Sequence, residues 1–142
     1  MNLEKDLISN LKIGDSIPNY SVIIDKKTYL QYNRLTKEIN PLHFNKKYAQ
    51  KMGFDDIVIA GNFLYAYLLK WIVNWVRNIN YIKKINIKFL NPVYLNEEIV
   101  HSGKVIDISK KNGCRIITCE FNVKKNGEII TSSGTIILEH PK

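Results

Sequence analysis

Cysteine, proline, glycine and acidic residues are all scarce in this 142-residue chain, and each scarcity removes a class of architecture. The two cysteines, Cys114 and Cys119, fall in one expected strand at a spacing that points them to opposite faces, so neither a mutual disulfide nor a shared metal site is expected. Four prolines and seven glycines do not gather into a linker. Residues 1–142 therefore read as a single domain, long enough to bury roughly 70% of the unfolded surface. No apolar leader opens the chain: Met1 to Asn10 carries Glu4, Lys5 and Asp6, and the cytoplasm is the expected compartment. Thirteen acidic residues face 21 basic ones, a formal net charge of +8. Such an excess fits a nucleic acid, an anionic membrane or an acidic ligand. The lysines, however, run in scattered pairs from Lys5 to Lys142, with no helix-turn-helix, zinc or RNP pattern. That sets nucleic acid aside and leaves a solvated surface biased toward acidic ligands.

One apolar run is long. From about Gly61 to Asn78 the run FLYAYLLKWIVNWV is interrupted only by Lys70, Asn74 and finally Arg77, and as a helix this stretch would span about 27 Å, close to a bilayer core. Lys70 at its middle and the strands that follow favour a helix buried inside protein over a membrane span. Ile82 to Leu90, Ile99 to Ile108, Cys114 to Val123 and Glu128 to Leu138 read as strands, the last three joined through the hairpin signals Asn112-Gly113 and Asn126-Gly127. Tyr20 to Ile24 adds a fifth. Asp25 caps an expected helix over Lys26 to Lys37 that Asn40-Pro41 ends, and Asn45 caps a shorter one closed by Gly53. Met1 to Asn10 reads as a short helix or arm, His101 and His140 as strand surface, and Tyr65, Tyr67, Trp71 and Trp75 as packing. The fold class is α+β, an antiparallel sheet of about five strands wrapped around one long central helix.

The segment Glu38 to His43, E-I-N-P-L-H, followed by Gly53-Phe54 and by Ile59-Ala60-Gly61, resembles the MaoC-like (R)-specific enoyl-CoA hydratases and 3-hydroxyacyl dehydratases. That family's pattern is D-x-N-P-x-H, with H-G eighteen residues beyond the histidine. Ile13-Gly14-Asp15 and Lys88 to Val93 extend the likeness over nearly the whole chain. The resemblance implies the hot-dog fold and the addition or removal of water beside a thioester carbonyl, on an acyl-CoA or acyl-carrier-protein substrate, with no cofactor and no metal. It gives Glu38 and His43 as the catalytic pair, the imidazole deprotonating the water on hydration. It gives Gly61 as a backbone donor to the carbonyl, a role worth roughly 3 kcal/mol. Asn40 would brace the turn, and Asn40 and Asn62 are the candidate substrate-binding residues. The exposed sheet edges call for a homodimer or larger oligomer, or a hetero-oligomer with a second hot-dog chain.

Two positions depart from the family. Glu38 replaces its Asp, keeping the charge but adding a methylene, and a carboxylate displaced by about 1 Å can cost on the order of a hundredfold in rate. Ala60 replaces its usual His, which leaves the Gly61 amide in place but removes one means of fixing the loop. Two alternatives therefore stay open: a non-catalytic hot-dog subunit of a heteromeric dehydratase, and an acyl-CoA thioesterase, which shares the architecture without needing N-P-x-H.

Overall fold

A computed structural model describes residues 7–141. Of the expected N-terminal helix or arm, residues 7–9 are helical and Met1 to Asp6 lie outside the described residues. Ile8 is fully buried, and the Arg115 guanidinium donates to the Ile8 and Leu11 carbonyls, so this end is fastened to the sheet.

Strands β1 (Ser16–Ile23), β2 (Ile82–Phe89), β3 (Glu98–Lys111), β4 (Cys114–Lys125) and β5 (Ile129–His140) form one antiparallel sheet in the order β1-β3-β4-β5-β2. Its two faces follow from alternation: along β4, Ile117, Cys119, Phe121 and Val123 are buried while Glu120 is exposed. Asn112, Gly113, Asn126 and Gly127 all take positive φ, which the tight hairpin turns need. β1 begins earlier than expected, because it is an edge strand that tolerates Pro18 without losing a ladder bond. The register slips between Ile17 and Tyr20.

Among the described residues, the helices beyond that N-terminal end are α1 (Lys26–Thr36), α2 (Lys46–Lys51) and α3 (Gly61–Val76). α3 turns Phe63, Leu68, Trp71, Ile72 and Val76 into the core. Its approach to the sheet depends on Gly103, where a Cβ would stand 2.7 Å from the Glu120 carbonyl oxygen and 3.2 Å from the Trp71 ring. The Trp71 indole N–H donates to the Pro18 carbonyl at 2.7 Å, tying α3 to β1. Among the described residues no helix is long and apolar enough to cross a membrane.

The two strand histidines correct the expectation that they are surface residues. His101 shares the inward side of β3 with Ile99 and Val105 and is 1% exposed; His140 shares that of β5 with Ile136 and Leu138. Strand register, with its period of two, overrides the polarity of the side chain.

Candidate active site

The candidate site is built on a turn that forms before the proline is reached. α1 stops at Thr36 because Lys37 takes the left-handed conformation (φ 53°) and returns its N–H to the Asn33 carbonyl, which also receives the Glu38 N–H at 3.1 Å. The chain next makes a single 3₁₀ turn, Pro41–His43, with Asn40 as its cap accepting the Leu42 N–H at 3.1 Å. Glu38 Oε1 accepts the Asn40 N–H at 3.0 Å. Both Glu38 and Asn40 are thus engaged in shaping the turn that carries His43.

His43 Nδ1 lies 2.7 Å from the Val58 carbonyl oxygen. A carbonyl only accepts, so Nδ1 carries the proton and Nε2 is the basic nitrogen. The Val58 N–H donates to the Leu42 carbonyl at 3.0 Å, pairing the histidine turn with the segment that leads into α3, and the Ile59 N–H donates to Val93 at 2.9 Å. At the start of α3, Ala60 is the N-cap and offers no side-chain bond. The Phe63 and Leu64 amides return to the Ala60 carbonyl, so those of Gly61 and Asn62 have no acceptor within the helix.

His43 and Gly61 line one groove of about 360 Å³, with Phe54, Leu64, Phe89 and Val93 among its apolar walls. Phe54 reaches it because Gly53, at φ 95°, reverses the chain after α2. Glu38, Asn40 and Asn62 are not in the lining, and the last two are exposed. Larger hollows of about 600 and 650 Å³ open beside Trp75 and beside Gly134, and no histidine lines either. Among the described residues no group of three His, Cys, Asp or Glu is placed to hold a metal ion.

Behind the groove lie Tyr29 and Asn33, two residues that in sequence mark only the face of a modest amphipathic helix and carry no functional signal. The Tyr29 hydroxyl, fully buried, accepts the Ala60 N–H at 3.0 Å and stands 3.1 Å from the His43 carbonyl oxygen and 3.4 Å from that of Val58. Burial pushes its pKa up, the Ala60 bond and then the Asn33 side chain oppose that, and the nearby Glu38 charge adds to the rise. Asn33, one helical turn on, donates through Nδ2 to the same His43 carbonyl at 3.2 Å, while its Oδ1 is buried without a partner. An unpaired buried oxygen costs about 1–3 kcal/mol, and the bond that fixes this orientation is the one to His43.

The profile of the MaoC like domain family matches residues 10–128. The chain belongs to the MaoC-like family. It is 26% identical over 129 residues to the mitochondrial 3-hydroxyacyl-(acyl-carrier-protein) dehydratase FERN of Solanum lycopersicum, across 91% of this chain and 73% of that one. A solved (R)-hydratase from A. caviae, involved in PHA biosynthesis, superposes with a TM-score of 0.78 at 16% identity, over 93% of this chain and 98% of that one. The ChsH1-ChsH2 complex from Mycobacterium tuberculosis gives 0.75 at 18% identity, over 91% and 98%. These likenesses show the hot-dog fold in this MaoC-like chain, its long central helix being α3.

The signal that would have found Tyr29 and Asn33 was their spacing of four on one face of α1. That spacing marks an amphipathic helix face and says nothing about what the face holds. Their partners are backbone groups 10 to 31 positions away, and these leave no mark in local sequence.

Proposed function

We propose that this MaoC-like chain is a hydro-lyase interconverting trans-2-enoyl and (3R)-hydroxyacyl thioesters of CoA or acyl carrier protein. The observation that carries the reading is the His43 ring, whose Nδ1 proton is held by Val58 so that Nε2 is free to act as a base in a groove shared with the Gly61 amide. In hydration, water on Nε2 gives up a proton as its oxygen bonds to C3. The C2–C3 π pair shifts toward the thioester oxygen, where the Gly61 N–H at the helix N-terminus meets the growing negative charge. The proton now on Nε2 passes to C2, which completes the addition and returns the imidazole to its neutral form. Glu38 is the second acid–base group in this reading, its carboxylate exchanging the Asn40 N–H for substrate water. Asn40 braces the turn, and Asn40 and Asn62, the latter next to Gly61 at the start of α3, are the substrate-binding residues of this reading. Family membership and the name of the tomato relative support the substrate class.

Glu38 also favours a second reading. Its carboxylate is bound to Asn40 and lies outside the groove lining, as suits a non-catalytic subunit paired with another hot-dog chain. The ChsH1-ChsH2 likeness is to a two-chain complex. In either case we place the chain as one domain in an oligomer joined through an open sheet edge, β1 or β2. Surplus lysines would meet the phosphates of CoA or an acidic carrier. The two free cysteines fit a reducing compartment, such as the cytoplasm.

Purified protein given crotonyl-CoA is expected to consume the enoyl chromophore and yield (3R)-3-hydroxybutyryl-CoA. Free CoA thiol without hydration would instead indicate a thioesterase. No turnover of short, medium or long enoyl thioesters, with a second hot-dog chain co-purifying, would favour the subunit reading.

A further inference from the structure

We infer that Tyr29 is a positioning residue that holds the His43 turn and the start of α3 in one geometry, supplying the hold on the loop that the Ala60 side chain lacks. The inference rests on the reading of His43 and Gly61 as the reacting pair. Three observations converge on one hydroxyl. It accepts the Ala60 N–H, and Ala60 is the residue whose following peptide carries the Gly61 N–H. It reaches the His43 carbonyl, the main chain of the basic side chain. It also reaches the Val58 carbonyl, the atom that orients the imidazole. One phenol therefore touches the supports of both the base and the amide donor.

The ring is as constrained as the hydroxyl. Tyr29 meets Phe63, in the first turn of α3, edge-on at 5.1 Å, and Tyr32 lies 4.9 Å from the same Phe63 ring. α1 thus grips the first turn of α3 through aromatic packing while the hydroxyl fixes the residue just before it. Asn33 divides the labour: it holds the His43 carbonyl and has no bond to Ala60. Deleting the phenol oxygen should loosen the Ala60 side of the site, whereas deleting the Asn33 amide should loosen only the histidine side.

Amide hydrogen exchange and steady-state kinetics on the full chain test this together. Tyr29→Phe keeps the ring and is expected to speed exchange of the Ala60 N–H about a hundredfold, with the ladder amides of the central strands β4 and β5 still protected as a check that the fold is intact. For crotonyl-CoA hydration its kcat should fall about ten- to a hundredfold with KM nearly unchanged, the pattern of misplacement within a formed site. Asn33→Ala should leave Ala60 exchange at the wild-type rate and lower kcat less. Unchanged Ala60 exchange in Tyr29→Phe, or faster exchange with wild-type kcat, overturns the inference. A wild-type protein that turns over no enoyl thioester overturns the hydro-lyase reading instead, and the exchange ratio of Tyr29→Phe to wild type still decides whether the hydroxyl holds the loop.

Discussion

His43 and His101 both set Nδ1 against a backbone carbonyl, at 2.7 Å from Val58 and 3.0 Å from Tyr20. The bond fixes the tautomer in each case and leaves Nε2 as the basic nitrogen. What differs is the space beyond the ring. His43 is half-buried on the wall of a groove that also holds a helix N-terminus. His101 is 1% exposed, with the Tyr20 and Trp71 rings at 5.3 and 5.5 Å. Burial pushes its pKa down, against the opposing effect of the Tyr20 carbonyl. An oriented imidazole is therefore common to a groove wall and to a core, and open space beside the ring separates them.

The contrast breaks most visibly in stability. His101→Ala removes a packed ring and a hydrogen bond and should cost about 2–4 kcal/mol in urea unfolding, while turnover per folded molecule is kept. A folded His101→Ala protein without activity would abolish the distinction. A smaller effect is expected at Gly61, where an added Cβ would stand 3.0 and 3.1 Å from two Phe89 ring atoms. Phe89 is 47% exposed and can give way, so Gly61→Ala should keep the fold and lower kcat/KM about tenfold by narrowing the groove. The smallest effect is in pH. With its pKa lowered from 6.5, His101 stays neutral in the native state where the unfolded chain takes up a proton. Its contribution is intact above pH 6.5 and is lost as pH falls below that value, at no more than about 1.4 kcal/mol per pH unit. Acid titration of unfolding in wild type and in His101→Phe checks this, the variant showing the weaker dependence.

Much of the fold was legible because its signals are local. Asn112-Gly113 closes a two-residue hairpin and Asn126-Gly127 opens the three-residue turn between Lys125 and Ile129, all four at positive φ, Asp25 and Asn45 cap the helices they precede, and α3 begins at Gly61. The His43 to Gly61 stretch was legible as a pattern, and the structure brings those two residues to one groove. Features set by distant partners were not legible. The first half of β1 was masked by Pro18, harmless only on an edge strand. His101 looked polar, yet register with β1 and β4 puts it inside. Tyr29 has meaning only once residues 43, 58 and 60 are brought to its hydroxyl. The end of α1 was misplaced because Lys37 stops the helix in a conformation usually left to glycine.

The most direct measurement is kcat/KM for crotonyl-CoA hydration by His43→Ala beside the wild-type protein, with unfolding followed in parallel. The account predicts a fall of about 10²–10⁴-fold at His43 with the unfolding midpoint little changed. A variant that hydrates at the wild-type rate, or that loses activity only because it no longer folds, would contradict it.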